Sequence, residues 1–291
     1  MFKVTDVSSD PGGTAHLVIT GNSAFLCDTG FAFSAEATVA NIRAALEGEG
    51  PSRLDYILLT HSHFDHAAGT STVARAFREA KVVASRYAAE VFIRPGARRA
   101  IRDMDEAAAR NAGADPGEDT TSGLRVDIEV GDGDVVRTAD RTVRVYATPG
   151  HTNCSVSYYF EEDDILATSE SSGFKFGDIV WPAFLTSYRD SIESIELVKR
   201  LAPERLLLPH AGLISGSEVS AYLSVIKEKT EEKAAFILSR HRAGMSEEEI
   251  VKDFISEYFD RFIRDTGLQT EESFVANTRA LVPRLIAEAE S

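Results

Sequence analysis

The chain is poor in cysteine: among 291 residues only Cys27 and Cys154 occur, too few to staple a secreted scaffold, and both read as small buried thiols. Long apolar runs are also missing. No stretch approaches the ~20 residues that span a bilayer, and the N-terminus lacks a basic segment followed by an apolar one. A membrane role is excluded on this reading, and a cytoplasmic location is expected. Positive charge is scarce, with 31 Lys and Arg against 46 Asp and Glu and a net charge of −15. Affinity for nucleic acid rests on clustered Lys and Arg that release counterions, so a polyanionic partner is excluded too. Arg94, Arg98, Arg99 and Arg102 make a short patch whose spacing suits a solvated helix face. A nucleophile elbow is absent, which removes the usual serine hydrolase.

What is present is histidine in one place. Three of the seven histidines fall within Thr60-His61-Ser62-His63-Phe64-Asp65-His66, directly after the apolar run Tyr56-Ile57-Leu58-Leu59. A strand alternates its side chains and the loop after it can curl. Two imidazoles at i and i+2 can then grip one cation while Asp65 and His66 reach a second. Two metals about 3.5–4 Å apart generate a hydroxide nucleophile at neutral pH. A site in a layered fold is assembled from several loops. Thr148-Pro149-Gly150-His151 and Leu207-Leu208-Pro209-His210 each add a histidine after a strand-like run.

In order and spacing these motifs resemble the metallo-β-lactamase fold superfamily over about residues 1–215. Asp28-Thr29-Gly30 resembles its second-strand signature, whose aspartate supports the metal loop. The resemblance implies an α/β fold, a four-layer αββα sandwich. It assigns His61, His63 and His151 to a first metal and Asp65, His66 and His210 to a second. The bridging aspartate of most members is replaced here by Glu170. One methylene longer, it either bridges, binds one metal, serves as a base behind the metals, or lies at the surface. The expected cofactors are two divalent metal ions, zinc first, with iron or manganese as alternatives. The implied chemistry is hydrolysis of an ester or thioester by a metal-bridging hydroxide, with Asp65 orienting the nucleophile and receiving its proton. Two rivals are a di-iron, oxygen-activating oxidoreductase of the same fold, favoured by Glu170, and a regulatory binding protein with vestigial activity.

Strand-like runs at Ala15–Thr20, Ser23–Cys27, Asp55–Leu59 and Lys81–Ala84 alternate with helical patterns at Ala35–Leu46 and Ala67–Ala80. A hairpin is expected at 158–166. A catalytic domain over 1–215 is followed by a C-terminal helical cap over 216–291, with helices at 216–243, 246–263 and 270–289, a capping box at Ser246 and Glu249, and Thr270 as N-cap. An apolar stripe runs through Ile250, Phe254, Ile255, Tyr258, Phe259 and Phe262; it packs inward, closes over the metals, or forms a homodimer face. Similar helical additions occur in glyoxalase II-like thioesterases and in the quinolone-signal response thioesterase, and the latter layout is the nearer. Phe174, Phe176, Trp181 and Phe184, in a loop after Glu170, either line the pocket of a small apolar or aromatic substrate or pack under the helices.

Overall fold

Strand alternation sorts the apolar side chains into two layers of core. In β2 (His16–Thr20), Leu17 and Ile19 face the helices and Val18 faces the opposite sheet; in β3 (Ser23–Cys27), Ala24 and Leu26 face out and Phe25 and Cys27 face in. This is the period of two for strands covered on both faces. The computed structural model describes residues 2–9, 13–49, 51, 53–264 and 270–291.

Among these residues two six-stranded sheets stack face to face. The first is ordered β1 (Phe2–Asp6), β2, β3, β4 (Tyr56–Leu58), β5 (Lys81–Ser85) and β6 (Ile128–Val130), antiparallel up to β3 and parallel from β3 onward. The second is ordered β14 (Gly212–Ser215), β13 (Arg205–Leu208), β10 (Ile165–Ala167), β9 (Val156–Phe160), β8 (Thr142–Ala147) and β7 (Val135–Arg137). Helices α1 (Ala35–Glu49), α3 (Thr70–Ala76), α4 (Arg86–Ile93) and α5 (Pro95–Asn111) cover the first sheet; α6 (Tyr188–Leu201) and α7 (Ser217–Arg242) cover the second. The result is the αββα sandwich. No helix among the described residues is long and apolar enough to cross a membrane.

Three elements depart from expectation. The helix expected over Ala67–Ala80 is replaced by α2 (Phe64–Ala67) and α3, because the carbonyls that would continue α2 are taken from outside: Asp65 accepts the Thr14 amide, His66 accepts the Thr29 amide, and the Gly69 amide donates to Gly30 instead. The expected loop at 174–185 begins as a hairpin, β11 (Phe174–Phe176) and β12 (Ile179–Trp181), turned by Gly177 and Asp178 with Gly177 at φ 56°. Gly-Asp between alternating apolar residues is a two-residue hairpin signal. The helix expected over 246–263 keeps its capping box, but after α8 (Glu247–Phe254) it widens into π-type turns over Ile255–Ile263. With more residues per turn, Phe254, Phe259 and Ile263 share the buried side, and Phe262 is 45% exposed. Phe262 therefore leaves the apolar stripe.

A separate core gathers α8, the π-type turns and α9 (Glu271–Glu290) with the second half of α7. The first half of α7 packs on the second sheet through Val219, Tyr222, Leu223 and Ile226, while Ala234 and Ile237 enter the C-terminal core. The helix that begins at Ser217, just after the boundary expected at 215/216, contributes to both cores.

Candidate metal centre

The ligand candidates follow the C-terminal ends of strands, His61 to His66 after β4, His151 after β8, Glu170 after β10 and His210 after β13, and the supporting Asp28 follows β3 in the same way. The parallel pairs β3·β4 and β10·β13 bring these ends to one edge of the sandwich. Two groups form there. His61, His63 and His151 converge, as do Asp65, His66, Glu170 and His210, the ligand atoms within each group lying within 4.8 Å of one another.

Glu170 links the two groups. Its Oε2 is 3.0 Å from His151 Nε2, and its Oε1 is 2.8 Å from His210 Nε2 and 3.3 Å from His66 Nε2. The side chain is 5% exposed, which leaves no place for it at the surface. It rises from a tight 3-10 turn, Glu170–Ser172, ended by Gly173 at φ 72°. Burial opposes its negative charge, yet His151, His210 and His66 hold its carboxyl well below the usual range.

Asp28 orients a ligand in each group without joining either. Its Oδ2 accepts from His66 Nδ1 at 2.8 Å and from Thr60 Oγ1 at 2.8 Å, and its Oδ1 accepts the Thr60 amide at 2.8 Å. Thr60 Oγ1 in turn stands 3.0 Å from His61 Nδ1. With these Nδ1 atoms engaged, His61 and His66 present Nε2 to the site. The Thr29 amide and hydroxyl both donate to the His66 carbonyl, at 2.7 and 3.0 Å.

His151 is fixed from the other side. Its Nδ1 donates to the Ala183 carbonyl, its amide donates to Ser171 Oγ at 3.0 Å, and its Nε2 is 2.8 Å from His63 Nδ1. The preceding Gly150 sits at φ 125° against the backbone of α6, where an added Cβ would lie 2.5 Å from the Ser191 nitrogen. Its carbonyl accepts the amides of Leu185, Thr186 and Ser187 at 3.1, 2.9 and 3.2 Å.

The donor set fits a pair of metals. Among the described residues His61 Nε2 has no hydrogen-bond partner although it is buried, and a lone pair left unsatisfied at that depth is costly unless a cation takes it. Burial, with His66 next, holds His61 well below its ordinary value; burial and His151 pull His63 down to about 3. Both imidazoles are therefore neutral and ready to ligate at physiological pH. Burial raises Asp65, the half-buried carboxyl of the second group, whose Oδ2 lies 3.7 Å from His66 Nε2 and 3.9 Å from His210 Nε2.

The aromatic candidates divide. Phe174 packs edge-on to His210 at 5.4 Å between centroids, and Phe176 is half-buried at the hairpin tip. Trp181 packs on Tyr258 and Phe274, and Phe184 is 1% exposed in the C-terminal core. These two belong to the helical core. The arginines expected on a helix face are bound locally, Arg94 to Glu90 and Arg102 to Glu106 and Asp119, with Arg98 on the Phe92 and Leu124 carbonyls. Sequence reading did not find Ala183 or Ser171, and named Gly150 only as part of the motif before His151, although its positive φ and its closeness to α6 require a glycine.

A four-layer sandwich with imidazoles and carboxylates at the ends of its strands defines a class of metal-dependent proteins. The profile of the metallo-beta-lactamase superfamily matches residues 10–210, and the chain belongs to that superfamily. It is similar to a hydroxyacylglutathione hydrolase of Rhodopseudomonas palustris, 32% identical over 132 residues, 45% of this chain and 39% of that one. The chain thus spans well under half the length of such relatives. A metallo-beta-lactamase fold-containing protein of Sulfurisphaera tokodaii is 25% identical over 62% of this chain and 69% of its own. In fold it is similar to a metallo-beta-lactamase family protein from Thermus thermophilus, with TM-score 0.65 and 18% identity over 99% of this chain and 93% of that one.

Proposed function

We propose that the protein is a dinuclear metal-dependent hydrolase of small esters or thioesters with an apolar or aromatic acyl group. The observation that carries this reading is Glu170, which sets one carboxylate oxygen against each of two adjacent ligand groups. His61, His63 and His151 would hold one cation, Asp65, His66 and His210 the other, and Glu170 both. When bound, two divalent cations supply Lewis acidity and lower the pKa of water held between them.

The chain's own residues do the rest. Asp65, partly exposed and with its carboxyl raised by burial, is placed to accept the proton of an attacking water and pass it on to the leaving group. Phe174, against His210, offers an apolar wall beside the second group. Relatives named hydroxyacylglutathione hydrolase support the thioester class, and the net charge of −15 supports a small substrate over a polyanion.

The test is a panel of aryl and acyl thioesters and esters, assayed for thiol or alcohol release with protein loaded with zinc, manganese or iron. Release that disappears in Asp65→Asn is expected; no release from any member with any metal would sink the proposal. One observation favours a second reading, the bridging position of a glutamate among imidazoles, a hard donor set suited to iron. Two irons per chain with oxygen uptake and no hydrolysis would move the di-iron oxidoreductase to first place.

A further inference from the structure

Among the described residues, Lys233 is a buried amine with no carboxylate beside it. It lies on α7 and is 4% exposed. Three rings surround it, Trp181, Phe184 and Phe254, with centroids 5.4, 4.9 and 5.6 Å from Nζ. Burial alone pulls the amine down to about 7. A methionine of similar length would fill the same space without that desolvation cost. Among the described residues, the one polar contact of Lys233 is donation from Nζ to the Pro182 carbonyl at 2.9 Å.

That contact lies one residue from the carbonyl that accepts from the back of the His151 ring. Pro182 has no N–H of its own to anchor this stretch, and the next carbonyl, of Ala183, accepts the Nδ1 proton of His151. Two residues further on, Leu185, Thr186 and Ser187 clamp the Gly150 carbonyl, the residue before His151. The segment 182–187 therefore grips both the ring and the backbone of the His151 loop, and Lys233 holds the end nearest the ring. The partners behind a ligating imidazole fix its tautomer and direction and tune metal affinity.

We infer that Lys233 is a positioning residue for His151, tying the C-terminal helices to the first metal group through the Pro182–Ala183 peptide. The inference rests on the reading of His151 as a ligand. Lys233 touches neither metal nor substrate; it acts by keeping the Ala183 carbonyl aimed at Nδ1.

The experiment is cobalt(II) titration of the full chain against a competing chelator, with thermal melting and the ¹⁵N resonance of His151 Nδ1 recorded on the same samples. Lys233→Met keeps the stem packing and removes the donor; Lys233→Gln retains an N–H on a shorter stem and serves if Lys233→Met does not fold. Lys233→Met is expected to melt at or above the wild-type temperature, to bind the first cobalt about fivefold more weakly, somewhat below the 10–100-fold cost of removing a direct partner, and to shift the Nδ1 resonance. Lys233→Gln should fall between Lys233→Met and wild type. Cobalt affinity within twofold of wild type, or lost only in step with a fallen melting temperature, would overturn the inference. His151→Ala is the separating control. If it leaves cobalt stoichiometry unchanged, the ligand assignment has failed; if it loses one cobalt while Lys233→Met loses no affinity, only the role of Lys233 has.

Discussion

Asp28 shows how much a single side chain can organise without joining the site. A carboxylate with three acceptor contacts, at φ 60°, orients His66 directly and His61 through Thr60. Asp28→Asn exchanges one acceptor for a donor, which must then face Thr60 or His66 wrongly. Metal affinity is expected to fall roughly 10–100-fold with the fold intact, read by chelator competition and circular dichroism; unchanged affinity would show that Asp28 orients nothing. Four of the seven ligand candidates stand in one short, strand-following motif where imidazoles and a carboxylate leave little else to explain them, and His151 and His210 each follow a strand-like run of their own. Glu170 was harder, since its shared position depends on three histidines from three other loops. Lys233 was not legible at all: its partners, Pro182 and the rings, are chosen by tertiary packing, and a lysine in a helix of mixed charge reads as a surface residue.

At the level of elements, the helix caps carry structural weight beyond their own helices. The N-terminus of α6 is capped twice, by Ser187, which accepts the Asp190 amide, and by Glu288 of α9, which accepts from Ser187 Oγ and from the amides of Tyr188 and Arg189 at 3.1, 2.9 and 2.7 Å. A carboxylate there also meets the positive end of the helix. Glu288→Gln should lower stability by about 1 kcal/mol, measured by denaturant unfolding, and an unchanged midpoint would mean the cap is dispensable. Short apolar runs made β2 and β3 readable, and the caps at Ser246 and Thr270 marked the starts of two C-terminal helices. The hairpin β11–β12 was masked by its bulky aromatics, although Gly177-Asp178 marked its turn, and the π-type turns after α8 have no composition of their own.

For the molecule as a whole, the buried amine gives stability a pH dependence with a definite sign. The Lys233 amine has an ordinary value of 10.5 and is held at about 7 in the folded state. Between these values the unfolded chain binds the proton more readily, so this group's contribution makes stability rise with pH from about 7 to about 10.5. Below about pH 7 the full cost of burying the charge is present. Melting temperatures of Lys233→Met minus wild type should therefore be largest near pH 7 and shrink toward pH 10; a difference independent of pH would show that the amine does not titrate in this window. The layered architecture was legible as a whole from the strand and helix alternation, whereas the attachment of the C-terminal helices was not, because helical patterning says which face is buried but not against what. That attachment runs along α7, whose first turns complete the sandwich and whose last turns complete the helical core. Because one helix supplies side chains to both, the sandwich and the C-terminal helices are expected to unfold in a single transition, which denaturant unfolding followed by far-ultraviolet circular dichroism and by Trp181 fluorescence would check; cutting the chain ahead of α7 would strip the sandwich of part of its own outer layer.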